Sequence, residues 1–195
     1  MTSVRTLRDR LFGGHMLPSC ALVVAAATVA GCGGSDKADN APTTSPPTTT
    51  STPSPDPTAE AKTQAIDAYE HMWDASAATF HAGKVTSPEL EKWAVDKALA
   101  SQEASGLYYQ QQGTIMQGKP ALSPRVTSIE LTETPYTANI TDCADTTHYI
   151  EVYKSSGKPV GKVSGDRHHV TTAVARFNGK SWVISEFTIA RDRTC

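Results

Sequence analysis

The chain has 195 residues, a formal net charge of −2 and 38% hydrophobic residues. That length admits one ordinary domain and little more once targeting segments are set aside. The near balance of 18 Lys and Arg against 20 Asp and Glu leaves no broad basic face to displace counterions from a polyanion, so nucleic acid is not expected as a partner.

The first segment, MTSVRTLRDRLFGGHM, sets Arg5, Arg8 and Arg10 against Asp9, which is the positive start of a secretory signal. The run from Leu17 to Ala30 is rich in Ala and falls short of the roughly 20 residues a membrane-spanning helix needs. Export is expected, not a spanning helix. The run ends at Val29-Ala30-Gly31-Cys32, which resembles the bacterial lipobox. Small residues let an extended backbone enter a peptidase, and a thiol is nucleophilic enough to carry a lipid thioether. Cys32 is therefore the expected lipidation site, acylated by chains such as palmitate, and residues 1–31 are the expected signal peptide. The first expected partner is membrane lipid, and the expected location is the outer face of the cell membrane. An ordinary signal peptide cut after Ala-Thr-Val-Ala is the alternative reading.

Residues 32–57 follow as a Pro/Thr/Ser tract that contains half of the chain's 12 prolines. Nothing in APTTSPPTTTSTPSPDPT is larger and more apolar than alanine, so the tract is expected to stay solvated as a semi-rigid polyproline-type spacer. Residues 58–195 remain for one folded domain with one core.

In that domain the pattern begins helical. Ile66, Tyr69, Trp73, Ala77 and Phe80 recur at steps of three and four, which places them on one helical face. Asp56-Pro57-Thr58 opens this helix and Gly83 closes it. Thr86-Ser87-Pro88-Glu89 is a second start signal, launching a helix through Leu90, Trp93, Ala94 and Ala98 toward Tyr108. Beyond Gly113 the period shortens. PRVTSIEL, YTANITDC, HYIEVYKS, HHVTTAVARF and SWVISEFTIA read as strands, and Asn178-Gly179 between the last two is a hairpin signal. The basic cluster Lys154, Lys158, Lys162 and Arg167 reads as a solvated hairpin tip. Helices followed by strands predict an α+β domain in which N-terminal helices pack on a curved, mostly antiparallel sheet.

That order, together with GLYYQQQGTIMQGKPALSPRVTSIEL, the pair DCAD and the ending NGKSWVISEFTIARDRTC, resembles exported actinobacterial lipoproteins whose domain is similar to the nuclear transport factor 2 superfamily. The resemblance implies a cone formed by a bent sheet around a long helix, with a pocket at its open end lined by aromatic residues. Tyr69, Trp73, Tyr108 and Tyr109 are the pocket candidates. The superfamily hosts isomerases, dehydratases, cyclases and binding domains, so the fold alone does not assign an activity.

Cys20 leaves with the signal and Cys32 takes lipid, which leaves Cys143 and Cys195 to pair in an oxidising compartment. Asp142 and Asp145 flank Cys143 and read as turn-forming acids at a strand end; the acids as a group are expected to titrate as solvated carboxylates. His168 and His169 point to opposite faces of a strand. No spacing suggests a metal site, and no cofactor is expected. A ketosteroid-isomerase-type site needs a carboxylate base facing a donor such as tyrosine, and no position matches that pattern, so no catalytic residue is assigned. The expected function is a non-catalytic binding module for an envelope protein, a peptidoglycan-linked polymer or a small apolar ligand. A small isomerase or cyclase with an acid/base pair in the cone is the alternative.

Overall fold

A computed structural model describes residues 56–162 and 165–195. The expectations for the signal peptide, for Cys32 and for the linker up to residue 55 lie outside these residues. The described chain is α+β, with three helices followed by six strands.

Helix α1, Pro57–His81, starts where local chemistry makes it start. The Asp56 carboxylate accepts from the Thr58 N–H at 2.9 Å, and Pro57 occupies a position whose missing N–H would have no helical partner anyway. Ala65, Ala68, Tyr69, Met72, Trp73, Ser76 and Phe80 form its buried stripe. Helix α2, Pro88–Trp93, is capped by Ser87, whose hydroxyl accepts from the Leu90 N–H at 3.2 Å. The same hydroxyl lies 2.6 Å from the Thr79 hydroxyl and ties the start of α2 to α1.

The long second helix expected from the periodicity is instead two helices. Ala94 turns extended, at φ −116° and ψ 139°, and the Val95 N–H donates to the Ile184 carbonyl at 2.8 Å. A tertiary hydrogen bond to a distant strand thus outcompetes continuation of the helix, which a window of neighbours cannot show. Helix α3, Asp96–Gln112, then resumes and ends at Gly113. It passes so close to the α1–α2 connection that a Cβ on Gly106 would sit 2.7 Å from the Val85 carbonyl oxygen.

The strands form two antiparallel sheets, where a single one was expected. A two-stranded sheet pairs β1, Thr114–Gln117, with β4, Ile150–Tyr153. The other is four-stranded in the order β2 (Arg125–Glu130), β3 (Thr137–Asp145), β5 (His168–Phe177) and β6 (Trp182–Thr194). An isolated bridge between Ala121 and Asp145 ties the connection from β1 to β2 onto the end of β3. At the end of β1, Gly118 has φ +79°, and a Cβ there would overlap the His148 carbonyl oxygen, so the chain carrying Tyr149 is set by a position only glycine can occupy. The β5–β6 hairpin turns at Asn178-Gly179. The Asn178 side chain accepts from the N–H groups of Lys180 and Ser181, each at 3.0 Å.

Strand β3 alternates cleanly, burying Ala138, Ile140, Asp142 and Ala144. Asp142 is therefore an inward residue, contrary to its reading as a solvated turn acid. It is 1% exposed; its Oδ2 accepts from the Tyr69 hydroxyl at 3.0 Å and its Oδ1 from the Ser123 N–H at 2.8 Å. Asp145 is the turn former, accepting from the Thr147 N–H at 2.8 Å. Beside Asp142, Cys143 is joined to Cys195 by a disulfide across a sequence separation of 52 residues, worth roughly 4 kcal/mol by loop-closure entropy.

Replacing Asp142 by alanine strands the buried Tyr69 hydroxyl, at about 1–3 kcal/mol for a donor left without an acceptor, and also removes the acceptor of the part-buried Ser123 N–H. Asp142→Ala is expected to lower the urea-unfolding free energy by about 3 kcal/mol with an unchanged slope, while Asp145→Ala costs under about 1 kcal/mol. Equal midpoints for the two variants would contradict the structural role given to Asp142.

Candidate functional site

Between α1, α3 and the inner face of β6 lies a cavity of about 560 Å³, within the size range of small-molecule sites. Much of its lining is aromatic. Trp73 meets Phe187 edge to face at 5.2 Å between ring centroids, and Phe80 meets Tyr109 in the same manner at 5.4 Å. Met116 from β1 and Ile189 from β6 complete the apolar wall.

Polar residues from the chain on either side of β4 also line the cavity. Tyr149 is 6% exposed, and its ring packs edge-on against Trp73 at 6.1 Å, but its buried hydroxyl has no hydrogen-bond partner. Arg167 reaches back to donate from Nη2 to the Tyr149 carbonyl at 3.2 Å, while its buried Nε–H is unpartnered. The Nδ1 of His169, also buried, is unpartnered too. All three residues line the one cavity. Such groups are normally satisfied in native proteins, and each unmade bond costs on the order of 1–3 kcal/mol. The Trp73 indole N–H makes no hydrogen bond of good geometry either, but it lies near enough to the Tyr69 oxygen to influence its titration, so we place it with the core.

Titration follows from these surroundings. Burial pushes the Tyr149 phenol far above its usual range, with a smaller push from Tyr109. Burial also raises Tyr109, against the opposing positive charge of Arg191. Both are neutral donors at any physiological pH. Tyr69 rises mainly through burial and then through the Asp142 carboxylate it bonds. Asp166 is the carboxylate among the residues lining the cavity, and it is already engaged. Its Oδ1 accepts from the His168 N–H at 2.9 Å and lies 2.8 Å from His168 Nδ1. The His168 hydrogen bonds hold the Asp166 carboxyl below the usual carboxylate range, so the charges lining the cavity are the cations Arg167 and Arg191 and one engaged anion.

Of the four pocket candidates from the sequence, Trp73 and Tyr109 line the cavity. Tyr69 is fully buried, because its hydroxyl is committed to Asp142. Tyr108 lies on the outer side of α3, 51% exposed, with its ring edge-on to Tyr109 at 5.6 Å. Arg167 does not belong to a solvated tip with Lys154, Lys158 and Lys162: it is half-buried and tied to Tyr149. His168 and His169 do divide between two faces. His168 turns outward to Asp166 and to Asp145, the latter at 3.7 Å, and His169 turns to the cavity. That alternation was the usable signal for His169. Arg191 carries no comparable signal, because it sits in a β6 irregularity where Val170 opposes Ala190 while His169 opposes Thr194.

No family model and no curated protein matches the chain. Among solved structures it is similar to the intermembrane space region of the chloroplast protein ARC6, with 12% identity and a TM-score of 0.38, over 70% of this chain and 98% of that one.

The bond to Asp166, more than the nearby Asp145 charge, raises the pKa of His168 above its ordinary value. A histidine whose folded pKa is raised contributes stability below its unfolded pKa and loses that contribution as pH rises through the folded value. In a histidine NMR titration of the native chain, His168 should titrate above the usual range, and Asp166→Asn should bring it down. An unchanged His168 midpoint in Asp166→Asn would mean that Asp166 is not committed to it.

Proposed function

We propose that this chain is a lipid-anchored protein of the bacterial envelope, exported by its signal peptide and held on the outer face of the membrane through Cys32. Its α+β domain is a non-catalytic binding module, and the cavity between α1, α3 and β6 is its ligand site. The observation that carries this reading is the cavity's construction: aromatic side chains in its lining together with residues that hold buried, unpartnered polar atoms, a combination of affinity and orientation typical of small-molecule sites. The reading agrees with the resemblance to nuclear transport factor 2-like domains and their aromatic-lined pocket. A binding role also fits the acids. Asp142 is satisfied by Tyr69 and Ser123 and does not line the cavity, and Asp166 is engaged by His168.

A second reading, an isomerase-type enzyme, draws on one observation. Tyr149 and His169 line the same cavity, each with an unpartnered polar atom, and a neutral phenol with an imidazole is a usable acid–base pair. The chain is expected not to convert a β,γ-unsaturated ketone into its conjugated isomer. Conversion that is abolished by both Tyr149→Phe and His169→Gln would replace the binding reading.

Two measurements test the proposal. Wild-type protein should partition with the membrane fraction into detergent, and Cys32→Ser should stay uncleaved or be released without lipid, since two or more acyl chains anchor stably and none does not. A diacylglyceryl mass on Cys32→Ser protein would remove the anchor from the proposal. In the Cys32→Ser background, handled without detergent, the neutral dye N-phenyl-1-naphthylamine should brighten on binding. Ser105→Trp, which fills the cavity from α3, should weaken that binding at least about tenfold, because a ring displaces the ligand's apolar burial. Equal dye binding by Ser105→Trp would mean that the cavity is not the ligand site.

A further inference from the structure

We propose that the ligand of this cavity is an organic carboxylate, an apolar body bearing one anionic head, with the head held by the Tyr149 hydroxyl, the Arg167 Nε–H and His169 Nδ1. The inference rests on the binding reading above and adds the chemical class. It starts from an imbalance of donors over acceptors. Arginine Nε has only a proton to offer, and the tyrosine hydroxyl has a proton with no acceptor; an imidazole nitrogen joins them as a donor when it carries hydrogen. A ligand that satisfies them must bring acceptors. A carboxylate brings two oxygens with about four lone-pair directions in a planar head, and charged acceptors make the stronger bonds.

Charge points the same way. Arg167 and Arg191 line the cavity, and the lining carboxylate, Asp166, is engaged by His168. The Arg167 guanidinium is half-buried, and a ligand anion would give it a charged acceptor. The number of cations favours a monoanion. Arg167 already spends Nη2 on the Tyr149 carbonyl, and Arg191 is exposed at the rim, so a phosphate dianion would find too few partners. The remaining volume favours an apolar body. Trp73, Phe80, Met116, Phe187 and Ile189 give that body an apolar surface to pack against.

The test uses the Cys32→Ser chain and competition against N-phenyl-1-naphthylamine by decanoate, decanol and decyl phosphate. Decanoate is expected to displace the dye at a concentration at least about tenfold below that of decanol, the scale of one or two charged hydrogen bonds. Tyr149→Phe and Arg167→Gln should each cut that preference severalfold, with decanoate and decanol competition compared within each variant. Tyr149→Phe is the more telling variant. It keeps the ring against Trp73 and deletes a hydroxyl that bonds nothing in the free protein, so its melting temperature should equal or exceed that of the parent. Equal competition by decanoate and decanol would overturn the carboxylate assignment and leave the cavity reading standing. Tighter binding of decyl phosphate than of decanoate would overturn it in favour of a phosphate head. Loss of the dye signal itself in the parent chain would overturn the cavity reading and this inference with it.

Discussion

A carboxylate buried to 1% exposure in the middle of β3 is the constraint around which the domain is organised. Charge in a core is tolerated only where its bonds are made in full, and Asp142 meets that condition by drawing three segments to one point. Tyr69 comes from the centre of α1, Ser123 from the connection between β1 and β2, and Asp142 itself from the sheet. The angle and depth at which α1 lies on the sheet are thus fixed by a hydrogen bond as well as by apolar contact. Hydrophobic packing alone would accept several helix positions of similar energy, whereas a bond of 3.0 Å to a buried carboxylate accepts one.

The consequence reaches the cavity. Trp73 lies one helical turn beyond Tyr69 on the same face of α1, so anchoring Tyr69 also sets the indole that meets Phe187 and Tyr149. On the opposite wall, the disulfide performs a related task. Cys143 follows Asp142 directly, and its bond to Cys195 draws the end of β6 over β5. The detour leaves Arg191, Asp192 and Arg193 opposite no residue of β5, and it is in this detour that Arg191 reaches the cavity rim. Two neighbouring residues of β3 therefore position both the aromatic floor and one of the cavity's two cations.

What could be read in the sequence was what neighbours decide. Asp56-Pro57, Ser87-Pro88 and Asn178-Gly179 carry their instructions within three or four residues, and the helix starts and the hairpin stand where those motifs place them. The break at Ala94–Val95 was illegible because its cause is the Ile184 carbonyl, far along the chain. Likewise, the short strand TIMQ takes its identity from its partner β4 and has too few residues to show a period. Asp142 was misread for a different reason. Its even spacing from Ala138, Ile140 and Ala144 marks an inward face, but the local preference of Asp for turns pulled toward the opposite reading. Arg167 was grouped with lysines that share its charge, although its environment is that of Tyr149.

The described residues thus contain two polar clusters of opposite character. Around Asp142 the buried donors and the carboxylate satisfy one another, and nothing further is needed for that network to be stable. Tyr149, Arg167 and His169 each hold a buried polar atom without a partner. The Trp73 N–H and the Ser76 hydroxyl are unpartnered in the core as well, and what distinguishes this second cluster is that all three of its residues line one cavity. Unsatisfied groups cost stability in the free protein and return that energy when a ligand arrives with the right atoms. The contrast between a closed network that holds the fold and an open one beside aromatic side chains is what supports the proposed ligand site.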